Sequence, residues 1–469
     1  TNGSNLGISF NSNATADAVE AVIQNLTYAT TATNPDPLRT IAIRVSDGDG
    51  GLSEPSTVAI NVTLDLDGAA AVHGEETVSA YAPNTLDDPQ AAQLAGGGYV
   101  VVWASNAQDG SGWGVYGQVM DASGVPVGSE FFVNTGSTIG TQNWPHVAGL
   151  SDGSFVVTWQ DNNSADGSGW SVQAQRFDAG GNAIGSNFTV NSQTSGTQYH
   201  DAVAAYGDGF VVVYSSAGNA GGASQDIYLK GYDNAGTVVT GETRVSVDAT
   251  TGTAQSGAQY VPSVASHADG KMLISWTDTS GLDGNLNGVF ARVYDAANGT
   301  FGATFQVNTY TTSYQGDNGG EYGPVVGVTN DGGYVVVWAS SGQDGSSYGI
   351  YGQRFDASGA RVGAEFQINE STSGNQYEPS VTGLDAGGFV VTWHNASYDL
   401  SGTGTSQDIY IREYDAAGNA IDGERKLESP TNSTEQSPAV ADLGGGNYVV
   451  VYSDYNNIYD ANDPGYGHY

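Results

Sequence analysis

The chain has 469 residues and carries 50 acidic against 12 basic side chains, a formal charge of −38 at neutral pH. That charge repels nucleic-acid phosphate and anionic bilayer surfaces, which excludes both as partners. There is no cysteine, so neither disulfides nor thiolate metal sites hold the chain together.

A hydrophobic content of 39% with 10% aromatics supports packed cores, and the 68 glycines then read as turns. The length suggests two domains. Dense carboxylate suits high salt or divalent cations, because Asp oxygens are hard ligands for Ca²⁺. No apolar run approaches the roughly 18 residues that span a membrane. The opening TNGSNLGISF lacks the regions of a signal peptide, so the chain reads as a fragment of something longer.

Residues 1–66 come first in chain order. ADAVEAVIQNL has helical spacing of apolar residues, and RTIAIRVSD and STVAINVTL alternate as strands, which predicts a small partial β-sandwich with one short helix. In SDGDGG and LDLDG, Asp47, Asp49, Asp65 and Asp67 set alternate carboxylates around glycines. Such a set can wrap one calcium ion and stiffen the join to the next domain.

From residue 67 to 469 one sentence repeats. An apolar run ending in an aromatic recurs seven times, at Trp103, Trp159, Tyr214, Trp276, Trp338, Trp393 and Tyr452, spaced by 56, 55, 62, 62, 55 and 59 residues. Each period holds four strand-like pieces, exemplified by PSVTGL, GGFVVTW, YGIYGQRFD and AEFQIN. The second piece is apolar on both faces and flanked by glycine, as in a strand buried on both sides.

Four short antiparallel strands per repeat predict an all-β, seven-bladed β-propeller with four-stranded blades. The last repeat stops before its own fourth piece. Residues 73–79, HGEETVS, precede the first repeat where a fourth piece belongs, and are expected to complete the last blade.

Loop lengths divide the propeller into two faces. The turns from first to second and third to fourth pieces are tight, and Asp121, Asp178, Asp233, Asp356 and Asp415 begin Asp-x-x-Gly turns there, where Asp and Gly suit a type I turn. The other two classes of connection are long and share one face, where a local function belongs.

Just before the first piece, Gln/Glu-x-x-Pro recurs from Gln142, Gln259, Glu321, Gln376 and Glu435, and Gln198 keeps the first position. Tyr199, Tyr260, Tyr322 and Tyr377 follow in four repeats, and Trp144 lies within the second. Two readings stand for these residues. Amides, carboxylates and aromatic faces arranged in a ring suit a sugar, whose C–H face stacks while its hydroxyls pair. Repeated residues in a repeat protein also serve packing, locking one blade to the next.

A second repeated acid, Asp109, Asp166, Asp283 and Asp344, reads either as turn chemistry or as one leg of a cation site. No nucleophile elbow, zinc-protease helix motif, P-loop or cysteine nucleophile is present. Paired carboxylates such as Asp87 and Asp88, or Glu321 with Asp317, could serve glycoside chemistry if the fold brought two of them about 5 to 9 Å apart. His146 and His200 lie near the same mouth, His200 beside Asp201.

Across residues 73–469 the repeat GGFVVTW, QDGS, IYGQRFDA, EFQIN resembles repeats of very large secreted bacterial proteins of the RTX-adhesin type. The first 66 residues, through RTIAIRVSDGDGGLSEPSTVAINV, resemble the C-terminal part of a cadherin-like extender module from such proteins. The resemblance implies type I secretion, an extracellular or cell-surface location, calcium-dependent rigidity through Asp47 and Asp49, and roles in adhesion or biofilm.

The expectation is therefore a non-enzymatic adhesion module that recognises glycan or another surface ligand through the long-loop face and can self-associate with neighbouring modules. A structural fibre segment and a carbohydrate-active enzyme are the alternatives.

Overall fold

The computed structural model describes residues 38–43, 56–61, 78–79, 85–136, 138–163, 165–217, 225–248, 251, 253, 255–316, 322–398, 405–427 and 434–455. The chain divides into two compact units, Thr1–Ala71 and Val72–Tyr469. In the first unit Leu38–Ile43 pairs antiparallel with Ser56–Asn61, in the two segments whose alternation predicts strands. The expected helix in 16–26 and the candidate calcium ligands Asp47, Asp49, Asp65 and Asp67 lie outside the described residues. No helix occurs among the described residues.

The second unit is a succession of antiparallel sheets, each built from consecutive strands. The first runs Leu86–Gln93, Tyr99–Asn106, Trp113–Met120 and Pro126–Phe132. The second runs Gln142–Gly149, Phe155–Asp161, Ser171–Phe177 and Ala183–Thr189. The same order repeats from Gln198, Gln259 and Val325. It does so again from Asn375, joined to the preceding sheet by one parallel pairing of Tyr348 with Asn375. The last described sheet has two strands, Thr434–Gly444 and Asn447–Tyr455.

Burial follows the sequence pattern. Second strands such as Tyr99–Asn106, Phe155–Asp161 and Tyr334–Ser341 are buried on both faces, because each sheet is sandwiched between two others. Phe155, Val157 and Trp159 of the second sheet pack on Val100 and Val102 of the first. Trp276 joins the third and fourth sheets, Trp338 the fourth and fifth, and Trp393 the fifth and sixth. Ala439 and Val451 of the last sheet pack with Leu86, Tyr99 and Trp103 of the first.

Val78 packs against that same cluster. It and Ser79 are the described part of the segment expected to pair with the last sheet, and neither has strand geometry; residues 73–77 lie outside the described residues.

The Asp-x-x-Gly turns form as read. Asp121, Asp178 and Asp356 each accept the backbone N–H groups two and four residues on through Oδ1, so their carboxylates are used by the turn. Sheets approach most closely at the far end of the first strands. A Cβ added at Gly383 would lie 1.7 Å from the carbonyl oxygen of Val328, on the neighbouring sheet. Backbone cannot yield as a side chain does, so Gly383→Ala is expected to cost about 2–3 kcal/mol, read from chemical denaturation midpoints.

Candidate functional site

Six of the seven first strands open with a register break. In the first sheet it falls between Asp87 and Gln90, in the second between Asn143 and His146, in the sixth between Tyr377 and Ser380. At each break one residue is left-handed: Asp88, Trp144, His200, Val261, Glu378 and Ser437 have φ of 48 to 51°. Left-handed backbone costs a non-glycine residue roughly 1–2 kcal/mol, and bulges of this kind re-aim side chains. The fifth sheet carries Gly323 at the matching place, because an added Cβ there would sit 2.5 Å from the Val261 carbonyl oxygen.

Asp87, Asp88, Trp113, Asn143, Trp144, Tyr322, Gln436 and Ser437 line one cavity of about 220 Å³. In a regular strand the side chains of successive residues point to opposite faces. The bulge removes that rule, so the consecutive pairs Asp87 with Asp88, Asn143 with Trp144 and Gln436 with Ser437 all reach the same space.

Asp87 Oδ1 accepts the Asp88 backbone N–H at 3.0 Å and the Ser437 hydroxyl at 3.4 Å. Behind Ser437 lies Glu378, whose Oε2 accepts the Ser437 backbone N–H at 2.7 Å and lies 2.9 Å from His394 Nδ1. Burial alone would raise the Glu378 carboxyl, but the His394 charge and hydrogen bonds from His394, Tyr322 and Ser437 outweigh it and hold the group below its usual value. Trp144 stacks on the His200 ring at 5.2 Å, which fixes one aromatic wall.

The residues expected to form a ligand ring separate into two groups. Gln142, Gln198, Gln259 and Gln376 are fully buried, which corrects their expected exposure to a ligand. Asn134 Nδ2 donates to Gln142 Oε1, Asn191 Nδ2 to Gln198 Oε1 and Asn369 Nδ2 to Gln376 Oε1. Each asparagine ends one sheet and each glutamine begins the next, so the amides clip neighbours together. The same asparagines accept the backbone N–H of Val115, Val172 and Ile350.

Three of the four repeated loop acids, Asp166, Asp283 and Asp344, bond the asparagine that ends their sheet. Asp166 caps its turn through Oδ1 and receives Asn191 Nδ2 on Oδ2, and Asp283 does the same with Asn308. The tyrosines vary. Tyr199 pairs with Gln225, Tyr260 accepts from Asn287 at 3.1 Å, and Tyr377 packs on Tyr348 and His394.

Trp144 and Tyr322 alone of the predicted set line the cavity, while Glu321 lies outside the described residues. Trp113, Asn143, Gln436 and Ser437 were not expected there. The signal that finds three of them is the two positions after the Gln/Glu of the recurring pattern, read in the Asp87-Asp88-Pro89 and Gln436-Ser437-Pro438 repeats too. Among the described residues no group of three or more His, Asp or Glu side chains is placed to hold a metal ion, and no helix is long and apolar enough to cross a membrane.

A further acid sits beside the same strand. Burial, with Asp408 and Asp454 next to it, pushes the Glu435 carboxyl from 4.5 to about 7. The folded chain keeps this proton at pH values where the unfolded chain has released it. The contribution to stability is therefore present near pH 4.5 and lost as the pH rises through 7. Glu435→Gln is expected to melt higher than the parent by roughly 2–4 °C at pH 8 and equally at pH 5, by calorimetry.

The described sheets make this a β-propeller-like, all-β protein. No protein-family model and no curated protein sequence matches the chain. Three solved structures of similar fold are a protein of unknown function from Dyadobacter fermentans, an alpha-L-arabinanase from Penicillium chrysogenum complexed with arabinobiose, and an alpha-L-arabinofuranosidase from Fusarium graminearum complexed with an iminosugar inhibitor. The first is 12% identical over 71% of this chain and 95% of that one, with a TM-score of 0.47. The second is 15% identical over 67% and 93%, with a TM-score of 0.44. The third is 14% identical over 69% and 90%, with a TM-score of 0.44.

The expectation of an adhesion module without catalysis is not kept: two of the three structures are named as an alpha-L-arabinanase and an alpha-L-arabinofuranosidase. A likeness at this identity concerns fold, and the activity of this chain has to be argued from its own site.

Proposed function

We propose that the chain is a carbohydrate-active enzyme that hydrolyses glycosidic bonds in the cavity bordered by Asp87 and Asp88. The observation that carries this reading is the bulge at Asp88, which brings two consecutive carboxylates to one cavity walled by Trp113, Trp144 and Tyr322. Glycoside hydrolysis needs two carboxylates on either side of the scissile bond, and a sugar ring needs an aromatic face. Asp87 Oδ1 already accepts two hydrogen bonds, which suits a carboxylate acting as nucleophile or base. Asp88 is assigned the proton delivered to the leaving oxygen. Glu378 and His394 position Ser437 and, through it, Asp87.

The scaffold belongs to the same proposal: seven four-stranded blades closed by the core shared between the last and first sheets, with residues 73–79 supplying the final outer strand. Calcium at Asp47, Asp49, Asp65 and Asp67 is proposed to stiffen the first unit, and an extracellular location fits a polysaccharide substrate. Chelator is then expected to lower the melting temperature of the first unit and leave that of the second unchanged.

The test is release of reducing ends from a broad panel of polysaccharides and oligosaccharides, arabinan included, by the full chain. Turnover of at least one substrate is expected. No release from any of them at high enzyme concentration would sink the reading.

A further inference from the structure

We infer that the cavity sorts glycans by charge, taking an amine-bearing sugar ahead of its neutral N-acetylated counterpart and rejecting anionic sugars. The inference rests on the carbohydrate reading above and concerns which sugars that site accepts. It begins with the placement of positive charge. Of the twelve Lys and Arg residues, Arg39 and Arg44 fall in the first 71 residues, which leaves ten for the second unit. None of the ten is on a first strand, where the cavity-lining bulges are.

Nine of them are on third and fourth strands, and Lys271 opens a second strand at the tight-turn end. Arg176, Lys271 and Arg354 pair with the tight-turn acids Asp152, Asp269 and Asp331. Those turns follow first strands of about eight residues, so they lie roughly 25 Å from the cavity end, beyond a Debye length of about 8 Å at physiological salt. Arg244, Arg425 and Lys426, on outer strands, each sit on a carboxylate: Asp226, Glu413 and Asp408. The other four, Lys230, Arg292, Arg361 and Arg412, lie on third and fourth strands and donate to the backbone carbonyls of Val190, Val245, Gln306 and Ile368, so no Lys or Arg lines the cavity.

Negative charge is concentrated where positive charge is missing. Asp87 and Asp88 line the cavity and, with Asp88 carrying the proton assigned above, Asp87 gives it one net negative charge; Glu378 behind Ser437 is paired with His394 and adds none.

Trp113 and Trp144 complete the environment, because an ammonium is attracted to aromatic faces as well as to carboxylates. A uronate or sulfated sugar meets the same field with the opposite sign.

The experiment titrates the full chain with three trisaccharides of one length: β-1,4-linked glucosamine, its fully N-acetylated form, and trigalacturonate, followed by tryptophan fluorescence. The glucosamine trimer is expected to bind at least tenfold more tightly than the N-acetylated trimer, with no saturable binding of trigalacturonate. The preference should shrink severalfold in 1 M NaCl and in Asp87→Asn, and the salt measurement stands even if that variant does not fold. Equal affinity for the amine and acetyl trimers, or binding of trigalacturonate at comparable strength, overturns the inference and leaves the carbohydrate reading in place. Absence of binding by all three overturns the inference, while the carbohydrate reading stands or falls on the release of reducing ends from the broad panel.

Discussion

Asp87→Asn and Asp88→Asn are each expected to reduce glycoside hydrolysis by about 10²- to 10⁴-fold, the range set by removing a positioned acid, base or nucleophile. The two variants are isosteric and keep the bulge, so substrate binding should change much less than turnover. KM within severalfold of the parent and a collapsed kcat would place both groups at the reacting bond. The amide at Asp87 can still accept from Ser437 and the Asp88 backbone, which is why folding should survive. Unchanged kcat in both variants would remove them from the chemistry. Glu378→Gln should act more mildly, since Glu378 reaches the cavity through Ser437 and Tyr322. Its signature is a shifted pH profile rather than a lost rate.

Trp338→Ala should be the most costly of the simple core truncations, at about 3–5 kcal/mol. Trp338 is fully buried between the fourth and fifth sheets and its indole N–H donates to Gln315 Oε1 at 3.1 Å. Truncation opens a large void and also strips a buried acceptor of its donor. Trp159 and Trp276 hold the equivalent position in their sheets, are equally buried, and have no hydrogen bond to the indole nitrogen.

A paired comparison separates the two terms. Trp338→Phe should lose about 1–3 kcal/mol more than Trp159→Phe, read from denaturant midpoints of both variants at one pH. Equal losses would show that packing volume alone sets the cost and that the Gln315 bond contributes nothing net.

The corrections to the site reading share one cause. Gln142, Gln198 and Gln376 recur because three junctions between sheets use the same amide clip, and their burial follows from that service. Recurrence in a repeat protein reports what each repeat must do to hold its neighbour. The cavity instead uses a position that differs from sheet to sheet: Asp88, Trp144 and Ser437 line it, and His200, Val261, Gly323 and Glu378 occupy the matching place in the other sheets, seven different side chains in all. A search for repeated residues passes over such a set by construction. The pattern that would have found them was already visible as the variable position before each proline.

What the sequence by itself determined is local. Alternation and β-branched runs set the strands, Asp-x-x-Gly set the turns, and the length of the apolar second strands set a sheet buried on both faces, because each of these depends on residues a few places apart. Only the tertiary structure decided which sheets meet and which side chains share a space. Ser437 and Asp87 are 350 residues apart in the chain, and no local preference brings them together. The left-handed bulge at Asp88 then turns two adjacent carboxylates toward one cavity. That geometry costs backbone strain, and it persists because the cross-strand pairing on either side and the packing of neighbouring sheets over-determine it.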